Sequence, residues 1–120
     1  MKILVIGDSC TDVYLYGSCK RLCPSAPVPV FVPLYQKENK GMAGNVYQNI
    51  VSFGMPTTLR CNSSVVTKTR YVDAETNHML LRVDSGEEKI ERIQSIEKDF
   101  LNDFDVIVIS DYNKGFLHEA

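Results

Sequence analysis

The chain has 120 residues, of which 44% are hydrophobic and 23% are charged, and its formal net charge is −2. This length fits one small domain with a modest core, and the composition differs from that of a disordered chain. Because the chain is weakly acidic, it has no general attraction for nucleic acid or for an anionic membrane surface. We expect neither as a partner.

Export signals and metal motifs are not expected either. The apolar run at the amino terminus is too short for a signal peptide, and Gly7-Asp8 interrupts it. No segment approaches the length that spans a bilayer, so a cytoplasmic protein is predicted. The four cysteines form no C-x-x-C pair and only two histidines accompany them, which favours free thiols over a zinc site.

The first half of the chain predicts strands around one helix. A buried strand is expected at 2–6, a short strand at 13–17 and a proline-rich edge strand or extended arm at 28–34. The polar segment 36–40 is typical of a loop. A helix is predicted over Ala43–Phe53, because its apolar residues follow a helical period and Gly54 comes directly after it.

The second half continues with a core strand at 57–61 and a hairpin formed by 67–72 and 79–83. The segment 87–101 has apolar residues at helical spacing and predicts a second helix. A last buried strand is expected at 105–110, and Lys114 to Ala120 resembles the start of another helix. Core strands alternating with helices indicate an open α/β layer, and the extra β segments indicate a separate small sheet.

Acidic residues follow two of the predicted core strands. Asp8 comes directly after the first and Asp111 directly after the last, while Asp12 lies in the first loop. Ligands of open α/β sheets bind beyond the carboxyl ends of the parallel strands, where carboxylates can accept hydrogen bonds from sugar hydroxyls. The alternative is that one of these residues caps a helix or a turn.

Small residues open the first predicted helix, in the segment Gly41-Met42-Ala43-Gly44-Asn45. They would let a ligand approach free backbone N–H groups, and the asparagine offers both a donor and an acceptor. Tight helix packing is the alternative interpretation. The segment has neither Walker spacing nor a G-x-G-x-x-G pattern, which disfavours a generic nucleotide-binding Rossmann domain.

Cations cluster on the predicted hairpin. Lys68 and Arg70 are two residues apart on one strand, so their side chains share a face, and Arg82 on the partner strand could join them. Adjacent cations suit a phosphate group, whereas a solvated face with cross-strand ion pairs is the alternative. Asp111 and Lys114 place an acid and a base after the last core strand, where a plain polar turn is the alternative.

Five segments form a recognisable series along the chain. They are G-D-S-C-T-D at 7–12 with Y-L-Y-G at 14–17, C-P-S-A-P-V-P-V at 23–30, K-G-M-A-G-N-V at 40–46, T-K-T-R at 67–70 with L-R-V-D at 81–84, and S-D-Y-N-K-G at 110–115. In this order they resemble the ribokinase-type (PfkB) carbohydrate kinases, most closely the heptose 7-phosphate kinase branch. Met42 stands where that branch has its second glycine.

The resemblance implies a partial ribokinase-like α/β fold. A Rossmann-like parallel core, at about 1–12, 41–62 and 88–120, would carry an antiparallel β lid, at about 13–40 and 65–86. Such lids cover the sugar and are often shared across a homodimer. The family reaction passes the γ-phosphate of ATP to a sugar hydroxyl, and in the heptose branch it serves the synthesis of ADP-heptose for lipopolysaccharide.

The resemblance also implies which residues bind substrate. They are Asp12, Gly41, Asn45, Lys68, Arg70, Arg82, Asp111 and Lys114. The first three would bind sugar hydroxyls, and the cations of the hairpin would face the phosphate of a sugar phosphate. Lys114 would lie near the phosphoryl-transfer zone. ATP and Mg²⁺ are implied for the complete enzyme, and neither is expected to bind this chain alone.

The departures from the family pattern define a shortened version of the fold. The G-A-G-D motif that carries the catalytic base is absent, as is the purine-binding segment, and a β-α-β stretch is skipped between Cys61 and Val65. We therefore predict a sugar-binding amino-terminal part that is inactive without a carboxy-terminal half, with no catalytic or metal-binding residue of its own. The alternative is a non-catalytic sugar-phosphate-binding or dimerisation module.

Overall fold

The computed structural model of the chain describes residues 1–118 and contains two sheets. In chain order the elements are β1 (Ile3–Gly7), β2 (Ser9–Leu22), β3 (Pro29–Met42), α1 (Ala43–Val51), β4 (Thr57–Cys61), β5 (Thr67–Asp73), β6 (Met79–Ser85), α2 (Lys98–Asn102) and β7 (Val106–Ser110). One turn of 3-10 helix covers Glu87–Lys89. The α/β class predicted from the sequence is confirmed.

The first sheet, which we call the core sheet, is parallel and has β1 between β4 and β7. Every residue of β1 is buried, which explains why its sequence is continuously apolar. Ile3 and Val5 pack on one side against Ala43 at the start of α1. Leu4 packs on the other side against Phe116. The core strands predicted from the apolar runs are therefore correct.

The second sheet, which we call the lid sheet, has the strand order β3-β2-β5-β6. All four segments predicted for the lid lie in it, and the predicted hairpin is β5–β6. The two outer pairs are antiparallel, whereas the central pair β2–β5 is parallel. Pro29 and Pro33 lie in β3, an edge strand of this sheet, where a missing N–H donor is tolerated.

The segment 36–40 was predicted as a loop, and that prediction is wrong. These residues continue β3 and pair with 11–15 of β2. Polar side chains are compatible with a strand when it lies at a sheet edge and faces solvent, and charges at an edge discourage pairing with other chains. All five residues are exposed.

The helix predicted over 87–101 is also wrong in most of its length. Only Glu87–Lys89 and Lys98–Asn102 are helical, while Ile90, Ile93 and Ile96 pack beneath the core sheet from an irregular segment. Isoleucine is β-branched and has a lower helix preference, and a spacing of three residues departs from the helical period. No helix within residues 1–118 is long and apolar enough to cross a membrane.

The last predicted helix is not formed in the part of it that the structure describes. Residues 114–118 are irregular, and the remainder of that prediction lies outside the described residues. The first predicted helix is correct, since α1 begins at Ala43 and is followed by Gly54 in a left-handed conformation with φ of 81°.

The chain crosses between the core and lid sheets four times, and hydrogen bonds connect the first three crossings. At the first two, Asp8 accepts a backbone hydrogen bond from Ala43 at 2.8 Å. At the third, buried Asn62 accepts a hydrogen bond from the Ser9 N–H at 2.7 Å and donates one to the Ser9 carbonyl at 3.1 Å. At the fourth, Gly86 has φ of 92°.

Candidate functional site

An open cavity of about 550 Å³ lies between the lid sheet and α1. Carboxylate, amide, ammonium and phenol groups line it, and they come from two lid strands and the helix. The lining residues are Asp12, Tyr14, Glu38, Asn39, Lys40, Asn45 and Gln48. The structure thus brings Asp12 and Asn45, two of the predicted hydroxyl-binding residues, to one cavity.

The sequence had suggested that Asp12 lies in a loop of the core, but this residue lies inside β2. Its register partners are Asn39 on β3 and Lys68 on β5. Its Oδ1 accepts a hydrogen bond from Arg70 Nη1 at 2.9 Å, and both side chains are mostly buried. The Arg70 guanidinium also lies 5.2 Å from the centre of the Tyr14 ring, so this arginine is held in one orientation.

Gly41 lies against this aspartate. A Cβ atom at Gly41 would be 2.6 Å from Asp12 Oδ2 and 2.5 Å from Cys10 Sγ, so only glycine fits without displacing the carboxylate. Met42 follows with φ of 54°, an uncommon conformation for a residue with a side chain. The family resemblance places a glycine at this position, and the backbone conformation here favours one.

Lys68 and Lys114 are brought together by a carboxylate that sequence analysis did not single out. Glu87 Oε1 lies 3.6 Å from Lys68 Nζ, and Glu87 Oε2 lies 3.4 Å from Lys114 Nζ. Lys68 belongs to the lid sheet, whereas Lys114 lies in the loop after β7 of the core sheet. The three side chains therefore join the lid to the core. No local sequence pattern marks Glu87, because its partners are distant along the chain.

Arg82 is directly opposite Arg70 in the register of β5 and β6, as the prediction of a shared cationic face requires. Its guanidinium, however, donates two hydrogen bonds to Asp84 on its own strand, at 2.8 and 2.7 Å. These bonds hold the pKa of the Asp84 carboxyl below its ordinary value. Arg82 thus has the acidic partner that the alternative interpretation anticipated, although on the same strand.

The two acids at the strand ends have different surroundings. Asp8 is fully buried, and its carboxylate accepts backbone hydrogen bonds from Tyr112, Lys114 and Phe116. It therefore shapes the loop after β7, in agreement with the turn-capping interpretation. Asp111 is exposed and accepts a hydrogen bond from the Asn113 N–H at 2.8 Å; it does not line the cavity beside Asp12.

Metal ligands and thiols are the remaining candidate groups. In the part of the chain that the structure describes, no group of three or more His, Cys, Asp or Glu side chains converges as a metal site. The four cysteines are free thiols, and burial raises the pKa of Cys10 above its ordinary value, which keeps it protonated near neutral pH.

Comparison with known proteins identifies the relatives of the chain. No family model matches it. It is 28% identical to the bifunctional protein HldE of a Nitratiruptor species and 31% identical to that of Helicobacter acinonychis. Each alignment covers 97% of this chain and 32% of the relative. A ribokinase from Thermotoga maritima aligns in structure with a TM-score of 0.45 and 13% identity, over 88% of this chain and 43% of that protein.

The chain is similar to the bifunctional HldE proteins over nearly its whole length, in agreement with the resemblance that its motifs predicted. It spans about a third of the length of these relatives. The alignments extend over 149 and 150 positions, although the chain has only 120 residues. The relatives therefore contain segments without a counterpart here, which agrees with the predicted internal deletion.

Proposed function

We propose that this chain is the sugar-binding part of an ATP-dependent carbohydrate kinase that acts on heptose 7-phosphate or a related sugar phosphate in the synthesis of ADP-heptose. The observation that carries the proposal is the Asp12–Arg70 pair. It stands between a polar cavity on one side and a cluster of cations on the other. One ligand with hydroxyl groups at one end and a phosphate at the other would use both.

The cavity beside α1 suits the hydroxyl groups of a sugar. Asp12 supplies an acceptor, and the Asn45 amide supplies a donor and an acceptor, as does the Gln48 amide. A volume of about 550 Å³ lies in the range of small-molecule sites. Gly41 leaves room for the Asp12 carboxylate beside the backbone.

The cations beside the cavity suit the phosphate. Lys68 and Arg70 share a face of β5, and Arg82 is opposite Arg70 on β6. Their side chains range from mostly buried to nearly half exposed, so water screens them only in part. Arginine binds phosphate in a planar, two-pronged geometry, and the Arg70 guanidinium also lies 5.2 Å from the centre of the Tyr14 ring.

Phosphoryl transfer needs more than this chain offers. The reaction depends on positioning and on stabilisation of the moving charge, and the sequence lacks the G-A-G-D segment. We propose that a carboxy-terminal half completes the enzyme along β7. That strand is an edge within residues 1–118 and leaves Ile107 and Ile109 41% and 69% exposed, whereas parallel strands are normally covered on both faces. Without such a half, the chain would be a non-catalytic sugar-phosphate-binding module.

We also propose a homodimer through the lid sheet. One face of the lid sheet, opposite the face that carries Asp12 and Arg70, has two cross-strand rows of mostly apolar side chains. The register pairs place Leu15, Tyr71 and Leu81 in one row and Val13 and Val83 in the next. Leu81 is 58% and Val83 42% exposed. Apolar rows of this kind are usually covered. Sedimentation should show a dimer that Leu81→Asp converts to a monomer; a wild-type monomer at high micromolar concentration would contradict the proposal.

Calorimetric titration with heptose 7-phosphate, unphosphorylated heptose and ATP tests the ligand. Arg70→Ala should weaken binding of heptose 7-phosphate by roughly tenfold or more, because a charge-assisted hydrogen bond contributes about 1.5–3 kcal/mol. Binding of unphosphorylated heptose should change little. Asp12→Asn should weaken both sugars, because it alters an acceptor for hydroxyl groups that both possess.

Arg21→Ala provides the matched control, because Arg21 is an exposed arginine near the other end of β2. It should leave all three affinities unchanged. Tighter binding of ATP than of any sugar phosphate would reject the assignment of this part of the fold to the sugar. Equal losses for both sugars in Arg70→Ala would reject the assignment of Arg70 to the phosphate.

A further inference from the structure

Each of the three cations proposed for the phosphate has a carboxylate partner, and so has Lys114, which shares the carboxylate of Lys68. Arg70 is paired with Asp12, Arg82 with Asp84, and both lysines with Glu87. Four cations share three carboxylates, so the cluster has an excess of only one positive charge. A phosphate that enters this cluster must therefore compete with an internal carboxylate.

The three carboxylates are not equally well bound. Asp12 and Asp84 form hydrogen bonds of 2.7 to 2.9 Å with their arginines, which is the length of a charge-assisted bond. Glu87 stays 3.4 and 3.6 Å from its two lysines. Its Oε1 is buried and has no hydrogen-bond partner among the residues that the structure describes. Glu87 is thus the carboxylate that is most easily displaced.

The backbone around Glu87 fixes this carboxylate at the junction of lid and core. Gly86, directly before it, has φ of 92°, and a Cβ atom there would lie 2.2 Å from the Val65 carbonyl oxygen. The segment therefore packs closely against the crossing from β4 to β5. From this position Glu87 reaches Lys68 on the lid and Lys114 in the core loop.

We infer that Glu87 is an internal substitute for the phosphate of the substrate, which holds Lys68 and Lys114 until a sugar phosphate displaces it. This inference rests on the proposed function of the site. Glu87 would then set specificity, since a neutral sugar cannot supply the charge that replaces it. The exchange replaces one carboxylate, held at ion-pair distance, by phosphate oxygens that can form short bonds to both ammonium groups.

Glu87→Gln tests this inference because it removes the competing charge and keeps the shape of the side chain. Titration should show heptose 7-phosphate binding about three- to tenfold more tightly than to the wild type, since the two ion pairs that the phosphate must replace are partly exposed and therefore weak. Affinity for unphosphorylated heptose should be unchanged. Glu88→Gln is the matched control, because it removes the same charge from the next, exposed residue and should change neither affinity.

A second variant covers the case in which Glu87→Gln does not fold, which thermal unfolding would reveal. Glu87→Asp keeps the charge but draws it back from both lysines, and it should tighten heptose 7-phosphate binding by a smaller factor. If the wild type binds heptose 7-phosphate and neither variant binds it more tightly, the inference is overturned while the proposed function stands. If the wild type binds no phosphorylated sugar, the proposed function fails and the inference fails with it.

Discussion

The core sheet and the lid sheet differ in how deeply their strands are buried. The central strand of the core, β1, is buried along its whole length, and α1 and the segment 90–104 cover it on its two sides. In the lid strand β6 every residue is exposed, including Leu81. The lid instead carries most of the ion pairs that the structure shows.

This difference indicates that the two sheets contribute differently to the stability of the fold. Apolar burial, which contributes most of the free energy of folding, is concentrated in the core sheet. The charged face of the lid contributes little to stability, because partly exposed ion pairs are weak, and it is free to be arranged for a ligand. Stability therefore depends mainly on the core sheet, whereas the proposed phosphate-binding cations lie mainly on the lid sheet, so single substitutions can test the two separately.

The largest expected effect comes from truncating the centre of the core. Leu4 is completely buried, so Leu4→Ala should lower the free energy of unfolding by about 2–5 kcal/mol. The matched substitution Leu81→Ala in the lid, at 58% exposure, should cost less than about 1 kcal/mol. Urea unfolding at low protein concentration measures both. Equal losses would show that the two sheets do not differ as described.

Asp8 offers an intermediate test at the carboxyl end of β1. Asp8→Asn weakens acceptors for three backbone N–H groups in the loop after β7, and a buried group left without its partner costs about 1–3 kcal/mol. Amide exchange at residues 112, 114 and 116 should accelerate. Asp111→Asn changes an exposed acid in the same loop and should leave exchange almost unaltered; similar acceleration in both would contradict the structural role of Asp8.

The smallest effect concerns the short connection from the core to the lid. Glu91 accepts hydrogen bonds from the Ser63 N–H and hydroxyl, and the bond from the Ser63 backbone is the main cause that lowers its pKa from 4.5 to about 2. A carboxyl group whose pKa is lower in the folded protein stabilises the fold at pH values above its pKa in the unfolded chain. This contribution is lost as the pH falls through the pKa of the folded protein. The window therefore lies between pH 4.5 and about 2.

Unfolding measured across this window should show a modest loss of stability in the wild type, because Glu91 is exposed and water screens the interaction. Glu91→Gln should remove that part of the pH dependence. Glu75→Gln, in the exposed hairpin loop, should retain it. A wild-type profile identical to that of Glu91→Gln would show that the connection is not held by this carboxylate.

Sequence patterns predicted the core more completely than the lid. Two kinds of pattern were sufficient for the core. A strand that is buried on both faces has a continuous apolar run, as in β1, and a helix that buries one stripe has apolar residues at the helical period, as in α1. The edge residues 36–40 were missed because an exposed edge strand needs no apolar alternation. The segment 87–101 was wrongly predicted as a helix, because an irregular segment that packs beneath the core can place apolar residues at a similar spacing.

The site could be predicted in part for similar reasons. Strand alternation placed Lys68 and Arg70 on one face, and their positions after the first strand and at the start of the first helix singled out Asp12 and Asn45. The partners of these residues could not be predicted, since Glu87 and Asp84 reach the cations through tertiary contacts and side-chain orientation. The sequence therefore shows where the cationic side chains lie along the strands, but it does not show which of them form ion pairs with carboxylates of the same protein.

The central position of β1 also affects the order in which the chain can fold. During synthesis β1 is made first, yet its two neighbours begin at Thr57 and Val106. All four lid strands are therefore complete before the second neighbour of β1 emerges from the ribosome. Because pairings between distant segments form slowly, we expect the core sheet to close last. Until then the apolar rows of the nascent lid and of β1 are exposed together, which makes this interval the one in which a chaperone would protect the chain most.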